Sequence, residues 1–360
     1  MTSGVEFGPA ASSVAGVAQR AQRRRWAVIA VLAAGLAAAS LISLGVGAVP
    51  VSPGEALRAA FGLGDVDPRA EAVVNAIRLP RLILGLAAGA TLGLCGSAMQ
   101  AFFRNPLADP GLLGVSNGAA VAAAAYIIFG SAAAGALPSV LAAFGLPAAA
   151  FCGGLAAIYA LFAFGRRGGV ISSAQMLLAG VAIGALAGSG LAYLTFISTD
   201  QQLRAITFWM LGSLGGATWE QLGPSCILGV AACMGLLRLA GPLNAYLLGE
   251  REAQHLGVDV EALKRSVILM VAVGVGAIVA VTGVIGFIGL VAPHMVRLFA
   301  GADHRVVLPG SALMGALLVV LADAAARTVV APAELPIGVL TSLFGAPFFL
   351  WLLTRRSGAR

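Results

Sequence analysis

Long apolar runs, separated by short and mostly basic stretches, set the pattern of this chain. Charge is absent from residues 26–54, 82–103, 110–165, 168–199, 205–219, 221–237, 266–296, 306–322 and 335–354. A helix needs about 20 apolar residues to cross a bilayer core, so most of these runs predict one crossing each. Run 110–165 predicts two, broken near Leu137-Pro138 and Leu146-Pro147. Run 266–296 holds one crossing and the start of another that continues past Arg297. Run 205–219 is too short to span, and reads as a partial or re-entrant helix after the fifth span. The sum is an all-α polytopic membrane protein with ten transmembrane helices plus that short helix.

Composition points the same way. Of the 360 residues 59% are apolar and 10% charged, against about 25% charged in a soluble domain. A soluble enzyme, a disordered chain and a nucleic-acid-binding domain are all excluded by so few charges. The net charge of +7 is spread between apolar blocks rather than gathered in a patch. Residues 1–25 read as a cytoplasmic tail, because Arg20, Arg23, Arg24 and Arg25 precede an apolar run too long for a cleavable signal. Residues 26–356 form one transmembrane domain. An even number of spans then puts both termini in the cytoplasm. Most of the 22 basic residues fall in inner loops, leaving Arg58, Arg69, Arg78, Arg81, Arg204 and Arg327 outside. The 48 glycines, in runs such as 180–184 and 283–289, suit close helix packing.

Little catalytic chemistry is present. There is no G-x-x-x-x-G-K-[ST], and the only lysine, Lys264, has no glycine loop before it. No H-E-x-x-H occurs. The histidines His255, His294 and His304 fall at predicted cytoplasmic loops or helix ends, where interfacial or capping roles suffice. Cys95, Cys152, Cys226 and Cys233 read as buried small hydrophobes without disulfides. No catalytic, cofactor-binding or metal-ligating residue is therefore assigned. Asp323 precedes Arg327 by four residues and reads as an i,i+4 pair near the outer surface. With so few intramembrane acids, energy for uphill transport would have to come from a partner. The longest polar interior stretch, 243–265, predicts two short amphipathic helices on the inner face. One runs from Leu247 to Leu256, Gly257 breaks it, and Asp259 caps the other.

Several motifs, in order, carry a resemblance. They include Arg78-Leu79-Pro80-Arg81, the segment from Met99 through Arg104-Asn105-Pro106-Leu107 to Gly114, LLGEREAQHLGV (247–258), GVIGFIGLVAPHMVRL (283–298), ADHRVVLPG (302–310) and AELPIGVLTSLFGAPFFLWLL (333–353). Together these resemble the FecCD-type permeases, membrane subunits of ABC importers for iron-siderophores, haem and cobalamin. The segments around Asp200–Arg204, Trp209–Leu214 and Thr328–Glu334 look most like the haem importers.

The resemblance implies a type II ABC importer fold in a bacterial inner membrane, with the short helix on the periplasmic side. It implies a second copy of the chain, two ATP-binding-cassette subunits carrying ATP and Mg, and a periplasmic binding protein that delivers haem or a related iron chelate. By motif matching, Arg78, Arg81 and Arg327 would receive the binding protein. Asn105 and Leu107, with Ser172 and Ser173, would form the cytoplasmic gate. Glu250, Arg251, Ala253, Leu256 and Gly257, within coupling helices at 247–264, would engage the ATPase. The alternatives are a ferric-siderophore or cobalamin permease of the same family, or a stand-alone secondary transporter.

Overall fold

The computed structural model describes residues 9–47, 49–64, 66–130, 139–167, 170–331 and 333–357. The Leu137-Pro138 break and the first eight residues of the tail lie outside them. The helices are α1 (Pro9–Gly45), α2 (Pro53–Phe61), α3 (Pro68–Val73), α4 (Leu79–Phe102), α5 (Val115–Ala125), α6 (Ser139–Phe164), α7 (Ser173–Ile197), α8 (Asp200–Met210), α9 (Trp219–Arg238), α10 (Ala240–Leu248), α11 (Glu250–His255), α12 (Val260–Thr282), α13 (Ile288–Ala300), α14 (His304–Ala326) and α15 (Ile337–Ser357). A π turn at Val74–Arg78 joins α3 to α4, and another at Tyr126–Gly130 extends α5. A small hairpin pairs Arg166–Arg167 with Val170–Ile171.

Among the described residues, seven helices are long and apolar enough to span: Gln22–Gly45, Pro68–Phe102, Ala143–Phe164, Ser173–Ile197, Trp219–Arg238, Val260–Thr282 and His304–Ala326. Three shorter apolar helices, Val115–Gly130, Ile288–Ala300 and Ile337–Leu352, fill the remaining positions. The ten predicted apolar positions are therefore all helical.

The core is built on α4 and α12, whose Leu84, Leu92, Met99, Val267, Val271 and Ile278 are buried together. On another side, α4 lies directly against α14. A Cβ at Gly89 would collide with the Gly315 carbonyl, and one at Gly315 with the Gly89 carbonyl. Only glycine lets the two backbones touch there. Gly315→Leu should separate the helices at a cost of about 1–3 kcal/mol or more. Thermal unfolding in detergent measures it, and an unchanged midpoint would contradict this packing.

Several details differ from the sequence reading. Pro147 lies inside α6 rather than breaking it, as proline is tolerated in spans when the freed backbone groups find other partners. The short helix is Asp200–Met210, not 205–219, because Thr199 and Gln202 form a capping box that starts it earlier. Run 266–296 breaks at 283–287, where Gly283 and Phe287 both have φ of 68°. A side chain at Gly283 would also strike the Trp209 carbonyl. His294 sits within α13, its ring edge-on to Phe348, and not at a helix end. Only Cys95 is buried; Cys152 is exposed, and all four cysteines are free thiols.

The basic stretch before the first span lies at the same end of the bundle as α10 and α11. Arg25 Nη1 pairs with Asp303 Oδ2 at 3.0 Å, and Asn244 of α10 donates to Asp303 Oδ1 at 2.8 Å. Burial pushes the Asp303 carboxyl up, but hydrogen bonds from Asn244 and the Arg305 N–H, with Arg25 nearby, outweigh it and hold it below the usual carboxylate range.

Candidate functional site

At the opposite end, Arg78, Arg81 and Arg327 are all buried, at 4%, 6% and 8% exposure. The π turn swings Arg78 inward, where Nη1 donates to the Leu44 and Gly45 carbonyls at 2.7 and 3.0 Å, and Nη2 to Val49 O. Arg81, in the first turn of α4, reaches Asp323 Oδ1 through Nε at 2.8 Å and Glu334 Oε2 through Nη1 at 2.8 Å. Arg327, just past α14, pairs with Asp323 Oδ2 at 3.1 Å, the i,i+4 pair read from the sequence. It also donates to Val46 O at 2.8 Å and Ser43 Oγ at 2.7 Å. Asp323 is thus the hub of a buried network that ties α1, α4 and α14 together. Of its members, Glu334 reaches the surface.

At the other end, α11 is exposed along most of its length. Gly257, at φ 83°, ends it, and Asp259 Oδ1 accepts from Ala262 N at 2.9 Å to start the next helix. That next helix is not a second short one, as 259–264 had suggested. It is the first turn of the spanning helix α12. Arg251, Glu252, Gln254, His255, Leu256 and Gly257 are exposed, whereas Ala253 is fully buried. Ala253 therefore seats α11 on the bundle, and Leu256, at 64% exposure, presents its apolar surface. Leu263 is buried by the chain itself.

Glu250 turns inward to a residue that sequence reasoning placed in the inner loops and gave no role. Lys264 is 2% exposed. Its Nζ donates to Glu250 Oε2 and to the Ile171 carbonyl, both at 2.9 Å. Glu261 completes the arrangement: its carboxylate accepts from Ile171 N at 3.2 Å and lies 3.7 Å from Nζ. The next residue, Ser172, is the N-cap of α7, its Oγ accepting from Gln175 N at 3.4 Å. One ammonium thus joins α11 to the start of α7. Burial pushes the Glu250 carboxyl up, but Lys264, Tyr246 and Arg104 outweigh it and hold it low. The Glu250 carboxylate therefore stays ionised at neutral pH. Its stabilisation is complete above 4.5 and is lost as pH falls through the lower folded value.

The two predicted gate loops approach this pair from either side. Arg104, just before Asn105, places Nη2 3.6 Å from Glu250 and lies over the Tyr246 ring. Ser173 sits beside the Tyr246 hydroxyl, which burial pushes up to about 12. Asn105 Oδ1 accepts from Leu107 N at 3.0 Å, fixing its own turn. The network centred on Tyr246, Glu261 and Lys264 was missed by sequence reasoning. The available signal was the only lysine standing at the start of an apolar helix.

The fifth span is the least anchored. Along α7 only Met176, Gly180 and Leu194 are buried, while Leu178, Leu186, Tyr193 and Phe196 face outward. Among the described residues no group of three or more His, Cys, Asp or Glu is placed to hold a metal.

The sequence that folds into this bundle matches a transport family. Its profile, described as the FecCD transport family, covers residues 16–355. The chain belongs to the FecCD transport family. It is a membrane-spanning permease subunit of that family. This FecCD permease is 49% identical over 285 residues to the hemin transport system permease protein HmuU of Yersinia pestis, covering 79% of the chain and 84% of the relative. The cobalamin import system permease protein BtuC of Halobacterium salinarum is 42% identical over 291 residues, 81% of the chain and 76% of the relative. The vitamin B12 import system permease protein BtuC of Salmonella typhi is 40% identical over 338 residues, 94% and 98%. A solved metal-chelate type ABC transporter in an inward-facing conformation aligns with TM-score 0.80 and 32% identity, covering 91% of the chain and 99% of that structure.

Proposed function

We propose that this permease carries haem from periplasm to cytoplasm by alternating access, as half of a homodimer in a bacterial inner membrane with both termini cytoplasmic. ATP and Mg are held by two separate ATP-binding-cassette subunits, each gripping one α11. The observation that carries this reading is Lys264, which links α11 through Glu250 to Ile171 and so to the base of α7. Force on α11 then reaches the Ser172–Ser173 gate through hydrogen bonds rather than through loose packing. The poorly anchored α7 and the helix α8 move in response, while Asn105 and Leu107 close from the other side.

The identity to the hemin permease supports haem as cargo. A cobalamin cargo is the second reading, supported by BtuC relatives that match nearly the full chain. Glycine-rich walls with few fixed charges suit either bulky molecule. On the periplasmic side, a binding protein docks by exchange: its acidic residue displaces the surface-reaching Glu334 from Arg81, in a basic setting shared with Arg78 and Arg327.

Two tests apply. Leu256→Asp places a charge in the apolar contact and should abolish co-purification of the ATPase while leaving the permease folded; unchanged co-purification would remove α11 as the docking element. Nucleotide-driven uptake in vesicles holding permease, ATPase and binding protein should favour haem over cobalamin and ferric siderophores. A preference for cobalamin would select the second reading.

A further inference from the structure

A cavity of about 330 Å³ opens at the α11 end of the bundle, lined by Gln100, Arg104, Pro106, Leu247, Arg297 and His304 among others. It forms where the loop after α4 meets the turn between α13 and α14. Among the described residues no carboxylate lines it, although Arg104 at its edge is loosely paired with Glu250. Arg297 is the anomaly. It is half-buried within α13 and has no ion-pair partner among the described residues. Its Nη1 donates to Gln100 Oε1. Gln100 is held in that orientation because its Nε2 donates to the Gly289 carbonyl at 3.3 Å. A guanidinium removed from water without a counter-ion is costly, and a bound anion would offset that cost.

His304 adds a second, independent feature. It is 1% exposed, and its Nε2 is buried without a protein partner. The tautomer follows from its neighbour. Asn244 Nδ2 donates to Asp303 Oδ1 at 2.8 Å, so Asn244 Oδ1 is the atom that accepts from His304 N at 2.8 Å. The same oxygen lies 3.0 Å from His304 Nδ1, which must therefore carry the proton. Nε2 is left as an acceptor in need of a donor.

We infer that this cavity binds an anion that presents a phosphate and a hydroxyl together: the phosphate oxygens on Arg297 and Arg104, the hydroxyl towards His304. Two sources share that chemistry, the headgroup of phosphatidylglycerol and free hydrogenphosphate. Thermal unfolding of the purified full-length chain in a neutral detergent tests it. Additions are phosphatidylglycerol, phosphatidylcholine, inorganic phosphate, and sodium chloride at matched ionic strength. Phosphatidylglycerol or phosphate should raise the midpoint saturably, and phosphatidylcholine and chloride should not. A response to the lipid alone assigns the headgroup, a response to phosphate alone the free anion, and a response to both the shared group.

Arg297→Gln should weaken the apparent affinity about tenfold or more, yet without anion be at least as stable as the wild type, since it removes an uncompensated charge. Arg104→Gln, on an exposed loop, should weaken binding too and serves if Arg297→Gln fails to fold. Arg238→Gln, at the same end but outside the cavity, should respond as wild type. No shift in the wild type with either anion, or an equal shift in both arginine variants and the wild type, would overturn the assignment.

Discussion

Asp323→Ala is expected to destabilise the chain more than loss of any other charged side chain. Asp323 holds Arg81 at 2.8 Å and Arg327 at 3.1 Å, with all three side chains buried. Removing the carboxylate leaves two guanidinium groups out of water. Breaking one buried pair in this way costs about 3–5 kcal/mol. Arg327 keeps its bonds to Val46 and Ser43, and Arg81 keeps Glu334, so the two losses will not simply add. Asp323→Asn retains an acceptor and should fall between Ala and wild type. Glu334→Ala removes a partner that is 47% exposed, and should cost only about 1 kcal/mol or less. Detergent melting of the four proteins gives the order directly. A midpoint for Asp323→Ala close to that of Glu334→Ala would show that the buried network does not hold α1, α4 and α14 together.

Lys264→Met should uncouple hydrolysis from transport. Methionine fills the buried channel of the lysine stem with similar length, so the fold and the outer face of α11 are kept. The bonds to Ile171 O and Glu250 are lost. The ATPase should still bind and still hydrolyse ATP, while haem moved per ATP falls about tenfold, within the usual range of coupling free energies. Arg265→Met, exposed on the next position of the same helix, should leave that ratio unchanged. Wild-type stoichiometry in Lys264→Met would mean that motion passes from α11 to α7 by some other route.

What the sequence made legible follows from what membranes demand. Spans must be apolar over a fixed length, so the ten helical positions could be read from runs without charge. The Asp323–Arg327 pair was legible because helical spacing alone brings the two together. The Asp259 cap was legible for the same local reason. The errors came where partners are distant in sequence. Nothing near Arg78 announces that the Leu44 and Val49 carbonyls wait for it, so its burial could not be read from the sequence. Lys264 lies in a polar stretch, yet its partner Ile171 is 93 residues away, and only the folded chain shows it buried. Proline misled in the opposite sense, since Pro147 breaks helices in water more readily than in a packed span.

The central claim is that this chain is a conduit driven from outside itself, through α11. Uptake of haem into sealed vesicles tests it most directly, comparing the permease alone under an ion gradient and membrane potential with the permease joined to its ATPase, binding protein and ATP. The account predicts accumulation only in the second case, and its loss when ATP is omitted. Accumulation against a gradient by the permease alone would contradict it.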